Sequence, residues 1–502
     1  MERRTFLAAL AGSAAAGCAG EDRPPAPRRE PPAAARPAAR PTGPAGWKAL
    51  ERGLEGRLIR PDDADYDRAR RLYIPRYDRV GPAGIAYCES AADVAECVAF
   101  ATLTRTPLAV RSGGHDYAGR STGTGLVVDV SPMAGVRAEG GRAVVGAGAR
   151  LIDLYGGLDE AGAGVPAGTC PTVGVAGLAL GGGLGVMSRA HGLTCDFLEA
   201  VRIVTPDGRI RDCDARRDPE LFWACRGGGG GNFGVAVEFT FRTFRTGDVT
   251  TFALRYPWSR AAAAIGGWQR WAPAAPDGIW SGLQLNTEPS AGAPTVDITG
   301  VAPGDHDLEP LVAAIGHDPS GDDSRRRPYL EAMKFTGGCA GQSTEECHAQ
   351  GDLPGQRPGG RFPRTDYSGK SHIAYRPLTE AGIGALLGRF TGGNGVAGRS
   401  VLMDAMGGAI ARVRPGDTAF PHRRALFCVQ YLANGGDLGW LRAAHRAMEP
   451  HLGGAAYVNY VDPDLDDGGR AYYGANLGRL ARAKAAYDPG ALLRAPQGVT
   501  RS

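Results

Sequence analysis

Two short stretches hold the side chains best suited to chemistry. The first is Arg111-Ser112-Gly113-Gly114-His115-Asp116-Tyr117, in which an apolar run ends in two glycines with a histidine directly behind them. Backbone N–H groups in such a turn can face an anionic oxygen, and an imidazole can act as a nucleophile or carry a proton. The second is Gly168-Thr169-Cys170-Pro171-Thr172-Val173-Gly174-Val175-Ala176-Gly177, followed by Leu180-Gly181-Gly182-Gly183-Leu184-Gly185. A cysteine thiolate in such a loop is a strong nucleophile when its pKa is lowered. Each residue also has a plainer reading, as a hydrogen-bonded turn histidine and a small buried cysteine. A third stretch is all glycine from Gly227 to Gly231, and Gly229, Gly231 and Gly234 spell GxGxxG. That fingerprint needs a strand before it and a helix after it. Here a helix is expected before (218–224) and a strand after (235–241), so the motif is discounted. The glycines still let backbone come close to a large ligand.

The elements that would position these residues can be read from periodicity. Strands are expected at 84–88, 107–111, 126–130 and 142–146, with an amphipathic helix over 90–105 capped by Ser90. Residues 200–204 and 209–210 read as a hairpin around Thr205-Pro206-Asp207-Gly208. After about 248 the texture shifts. Strands are expected near 250–256, 280–286, 295–301 and 426–431, with helices at 260–272 and 379–390, which suggests a second, α+β domain. Residues 318–370 are loop-rich and the least legible. A helix is expected over 476–487, ended by Asp488-Pro489-Gly490.

At 502 residues the chain is too long for one compact core, and its 77 glycines are many. Formal net charge is +4, but residues 1–45 hold seven Arg against four acids, so the rest is almost neutral. Nothing there suggests a nucleic-acid partner. The N-terminus reads as an export address. Arg3-Arg4-Thr5-Phe6-Leu7 resembles a twin-arginine motif, and Ala15-Ala16-Gly17-Cys18 resembles a lipobox, so residues 1–18 are expected to be a signal. Cys18 is then a possible lipid anchor, or the segment is simply cleaved. Residues 19–45, rich in Pro, Ala and Arg, read as a tether. Of the other cysteines, Cys339 with Cys347 is the best guess for a disulfide and Cys213 with Cys225 a weaker one. No CxxC pair occurs, and no metal is expected.

Together these segments resemble the berberine-bridge-type FAD-linked oxidases, within the larger group that shares the vanillyl-alcohol-oxidase FAD fold. The motifs that carry the resemblance are Arg-Ser-Gly-Gly-His, the Cys-Pro-Thr-Val-Gly loop, Leu-Phe-Trp-Ala-Cys-Arg-Gly-Gly from Leu221 to Gly228, and Tyr457-Val458-Asn459-Tyr460-Val461-Asp462. Tyr472-Tyr473-Gly474-Ala475-Asn476, with Leu480, Lys484, Tyr487-Asp488-Pro489 and Gln497, completes it. The resemblance implies an α+β fold in three parts. A PCMH-type FAD-binding domain of two α/β subdomains would span 78–247. An antiparallel-sheet substrate domain covered by helices would span 248–455. A C-terminal berberine-bridge-type segment, 456–500, would return to the FAD domain.

The resemblance also implies FAD on two covalent bonds. His115 matches the histidine that bonds the flavin 8α-methyl, and Cys170 the cysteine that bonds carbon 6. The implied cofactor contacts are His115, Cys170, Arg111, Ser112, Gly113, Gly114, Gly174, Gly177, Gly182, Gly183, Val235, Tyr457 and Asn459. Such a flavin would take hydride from a carbon bearing a hydroxyl while a base removes the hydroxyl proton. The implied base is Tyr460, with Tyr457 second. Gln430 would orient Tyr460 or the substrate, and Tyr117 would lie near the substrate. An unperturbed tyrosine has a pKa near ~10, so the base needs help. Val173 stands three residues past the cysteine, where Val in plant relatives admits oxygen and Leu obstructs it. The expected activity is thus oxidation of an alcohol or hemiacetal carbon of a sugar or secondary metabolite, with molecular oxygen giving peroxide, in the cell envelope or outside the cell. A dehydrogenase with another acceptor is the second reading, and a non-catalytic surface lipoprotein the third.

Overall fold

A computed structural model describes residues 43–287, 294–304, 306–390 and 398–501. The twin-arginine motif, Cys18 and the tether up to residue 42 lie outside the described residues. The expected end of the tether at 45 overlaps a helix, Pro44–Gly53, whose proline sits in the first turn, where no backbone donor is needed.

The first sheet has the order Arg57–Ile59, Gly84–Tyr87, Leu126–Asp129, Leu108–Arg111. The last three strands are parallel. Parallel strands are buried on both faces and read as apolar runs, which is why they were legible. Helix Ala91–Thr104 connects two of them, and the Ser90 hydroxyl caps it by accepting the Asp93 N–H at 3.2 Å. The buried Asp93 carboxylate in turn accepts N–H groups of Glu55, Gly56 and Glu89, tying the edge of the sheet to the helix. The 111–117 turn leaves the carboxyl end of a parallel strand, where ligands of such sheets bind.

The second sheet is antiparallel, with the order Val136–Glu139, Arg142–Gly146, Val235–Arg242, Leu198–Val204, Ile210–Asp214. The expected hairpin closes with Val204 opposite Ile210.

The third sheet is antiparallel and runs Gly321–Asp322, Val249–Tyr256, Thr295–Pro303, Trp280–Asn286, Arg399–Ala405, Phe427–Asn434, Tyr367–Ala374. Strands Tyr367–Ala374 and Arg399–Ala405 and helix Leu438–Leu452 were not anticipated. One face, with Val401, Met403, Val429 and Tyr431, packs under helices Ala261–Trp271, Glu380–Leu387 and Leu438–Leu452. The register aligns Gln284 with Leu402 and Leu402 with Gln430, so these residues share the opposite face, which points toward the site.

The C-terminal segment returns to the glycine run at 227–231. Tyr473 Oη donates to Gly228 O at 2.8 Å, and Lys484 Nζ, paired with Asp488, donates to Asn232 O at 2.6 Å. Cys339 and Cys347 form a disulfide with Cα atoms 5.8 Å apart. The weaker pairing is corrected: Cys213 and Cys225 are free, buried thiols, and the Cys213 thiol donates to Val201 O.

Candidate active site

One cavity of about 610 Å³ runs between the first two sheets and opens onto the third. His115 and Cys170 both line it. They meet through a residue the sequence did not single out. Thr172 Oγ1 lies 2.9 Å from His115 Nε2 and 3.8 Å from Cys170 Sγ. The Tyr73 ring stacks on the imidazole at 3.8 Å between centroids. Burial, then the nearby Arg150 charge, push the His115 pKa down to about 3, so the imidazole is neutral. Burial moves the Cys170 thiol the other way, above its ordinary value, although Thr172 and the Val173 backbone N–H oppose it. Cys170 is therefore a thiol here.

A wall of tyrosines extends from this end of the cavity. Tyr367 lies edge-on to both Tyr73 and Tyr117, and Tyr117 stacks on Tyr460 at 5.5 Å with 13° between planes. Gln430 Nε2 donates to the Tyr117 hydroxyl. Tyr117, Gln430 and Tyr460 all line the cavity. Burial raises the Tyr460 pKa well above 10, and the charges of Asp404 and Cys428 add to that. Asp404 itself, on the cavity-facing side of the third sheet and opposite Cys428, is pushed up to about 7 by burial. Nothing local in the sequence marks Asp404, because its relation to Tyr460 exists only through the fold.

The comparisons agree with this architecture. Residues 82–214 match the family model described as FAD binding domain, and 456–500 match that described as Berberine and berberine like. The chain is 31% identical over 471 residues to the uncharacterized FAD-linked oxidoreductase YgaK of Bacillus subtilis, covering 89% of this chain and 97% of that one. It is 29% identical to the chitooligosaccharide oxidase of Gibberella zeae, covering 83% and 87%. Among solved structures, the BBE-like 1 protein of Physcomitrella patens superposes with TM-score 0.82 at 27% identity, covering 91% and 99%. The chain belongs to the berberine-bridge-like FAD-linked oxidoreductases.

The cavity of this FAD-linked oxidoreductase fits its cofactor. Gly113 and Gly174 lie back to back in its wall, and a Cβ on Gly113 would fall 2.2 Å from Gly174 N. Gly114 has φ +69°, which glycine tolerates best. Among the described residues, and chain neighbours apart, Cβ atoms on Gly177 and Gly231 would meet nothing within 4 Å, and both glycines line the cavity. The buried Thr122 Oγ1, also at the cavity, has no hydrogen-bond partner among the described residues.

Ser112, Gly113, Gly114, Gly174, Gly177 and Asn459 line the cavity alongside His115 and Cys170. Five other expected contacts do not reach it. Arg111 turns behind the strand to pair with Asp129. Gly182 backs onto the Phe420 ring, and Gly183 spends its N–H on Tyr457. Val235 is buried in the core, while its neighbour Ala236 meets the cavity. Tyr457 stands behind the wall, its hydroxyl accepting from Gly183 N, Leu184 N and Asn459 Nδ2 at 2.9, 3.2 and 2.8 Å. Burial keeps the Tyr457 proton in place despite those three donors. That residue props the 183–184 turn and does not line the cavity.

Proposed function

We propose that this chain is an exported oxidase that removes hydrogen from a hydroxyl-bearing or hemiacetal carbon of a sugar, with FAD held covalently by His115 and Cys170. The observation that carries the reading is the single cavity that joins the His115–Thr172–Cys170 cluster to the Tyr117–Gln430–Tyr460 wall. Bound FAD supplies the hydride acceptor and the route of electrons to molecular oxygen. Thr172 engages His115 Nε2, which leaves Nδ1 as the atom free to attach. Cys170 needs its proton removed before its sulfur can bond.

Tyr460 is the group that receives the substrate hydroxyl proton. Its high pKa makes a standing phenolate unfavourable, so its own proton must leave as it accepts one. Asp404, whose charge acts on Tyr460 and whose carboxyl burial pushes up to about 7, is the proposed acceptor for that second transfer. Gln430 fixes Tyr117 against Tyr460 and so shapes the floor under the substrate. Sugar is favoured over an apolar metabolite by the sheet face beyond Tyr460. Gln284, Asn286, Ser400, Asp404 and Gln430 share that face with Leu402 and Leu432, and Gln430 lines the cavity, where a polar side chain suits a polyhydroxyl ligand. The likeness to a chitooligosaccharide oxidase supports the same choice. Val173, half-buried, lines the cavity, and its small side chain supports the oxygen reading.

The test is a panel of mono- and oligosaccharides, with polyketide and alkaloid alcohols beside them, read by peroxide release. Peroxide formed with at least one sugar is the expected result. Turnover only with an artificial electron acceptor points to a dehydrogenase, and turnover of the alcohols alone removes the sugar reading.

A further inference from the structure

Behind the His115 turn lies a second cavity of about 410 Å³, which shares the 112–115 turn and Tyr73 with the flavin cavity as a common wall. Its lining carries six arginines and one carboxylate, Asp129. Arg111 and Arg150 are its buried members, 4% and 7% exposed. Arg150 gives Nη1 to Gly148 O and Nη2 to Ser131 Oγ. Arg111 gives Nε to Asp129 Oδ2 at 2.5 Å, but its Nη1 and Nη2 have no hydrogen-bond partner among the described residues. Asp129 is otherwise engaged, its Oδ1 accepting the Ser131 N–H. Asp153, near Arg150, is paired with His348. Two buried guanidinium groups thus face one shared carboxylate, and two buried donors point at nothing. Leaving a buried charge half-paired is costly, and a guanidinium edge with both Nη groups free matches a planar or tetrahedral oxyanion in bidentate fashion. Arg71 stands exposed at the rim of the same cavity, where it would attract anions, while Arg68 pairs there with Asp65 and Asp352 and Arg361 with Glu346.

We propose that this cavity is a binding site for a small oxyanion-bearing molecule, a phosphate or a carboxylate, seated on the free edge of Arg111. The occupant would sit on the far side of the wall from the cofactor. The Arg150 charge already acts on His115 from this side. A bound anion would offset that charge, so its presence would be felt at the attachment histidine. This reassigns Arg111 from the cofactor set to a separate ligand.

The test is calorimetric titration of the purified holoenzyme at low ionic strength with inorganic phosphate and, in parallel, citrate. Chloride at matched ionic strength is the control. One saturable site is expected for phosphate or citrate that chloride does not fill, and the stronger probe identifies the occupant's class. Arg111→Gln should weaken binding at least about tenfold, as expected for loss of a charged hydrogen-bond pair. The double charge reversal Arg71→Glu/Arg361→Glu, on exposed side chains, should weaken it as well. Should Arg111→Gln fail to fold, the rim variant decides alone. The absence of a saturable site with either probe, or wild-type affinity in the rim variant, overturns the proposal.

Discussion

His115 and Cys170 share Thr172, yet burial acts on them in opposite senses. Burial leaves the imidazole neutral with its lone pair available, and leaves the thiol protonated. The two proposed attachments should therefore be separable. Acid precipitation of Cys170→Ala is expected to leave yellow flavin in the pellet, held through His115, and the double variant with His115→Ala should release it all. Flavin freed from the wild type itself would remove the covalent reading. Asp404 lends itself to a pH test. Its carboxyl is protonated below about 7 and charged above, and as the proposed acceptor of the Tyr460 proton it would work only above that point. The value of kcat/KM should rise with pH through an apparent pKa near 7, and Asp404→Asn should abolish that limb while flavin absorbance stays unchanged. A limb that persists in Asp404→Asn assigns the titration elsewhere.

Strand Tyr367–Ala374 carries the argument at the scale of elements. Its sequence, Tyr-Ser-Gly-Lys-Ser-His-Ile-Ala, has no apolar alternation, because nearly all of its residues are buried on one side or the other. Lys370 can be buried there because Asp462 and Asp464 take its ammonium at 2.6 and 2.7 Å. Periodicity is blind to such a strand, so it went unread while the parallel strands around Leu126–Asp129 did not. The same contrast holds in the site. His115 and Cys170 lie in motifs whose residues are neighbours in sequence. Tyr73, Tyr367 and Asp404 act through partners on other elements, and nothing local marks them. Gly369 in this strand is a specific case. A Cβ there would lie 2.6 Å from the Tyr117 ring. Gly369→Ala should tilt that ring off Tyr460 and break its contact with Gln430. Because the ring can give way, the expected stability loss is modest, about 1 kcal/mol. The loss in kcat/KM should exceed that cost, read by denaturant melts and steady-state kinetics on one preparation. A melt shifted with unchanged kinetics would show that the ring position does not matter.

The whole molecule is held closed by the C-terminal segment, which connects the third sheet to the glycine run of the flavin cavity. His422 is one joint, beside the Lys370–Asp462 pair. Its Nδ1 lies 2.7 Å from the Tyr375 hydroxyl and its Nε2 2.9 Å from Tyr472 O. The neutral imidazole satisfies both, with Nε2–H donating to the carbonyl and Nδ1 accepting from the phenol. Burial lowers its pKa from 6.5 to about 4. Between those values the unfolded chain binds a proton that the folded chain does not, so stability rises with pH across this window. The contribution is complete above about 6.5 and is lost progressively as pH falls toward 4. A shift of this size corresponds to at most about 3 kcal/mol. The melting temperature of the holoenzyme should therefore drop steeply between pH 6.5 and 4. His422→Gln, which keeps a donor and an acceptor but cannot take the proton, should melt lower at pH 7 and lose part of that slope. Parallel pH curves for the two proteins would mean that the acid sensitivity arises elsewhere, and that this joint does not control how the two halves of the cavity stay together.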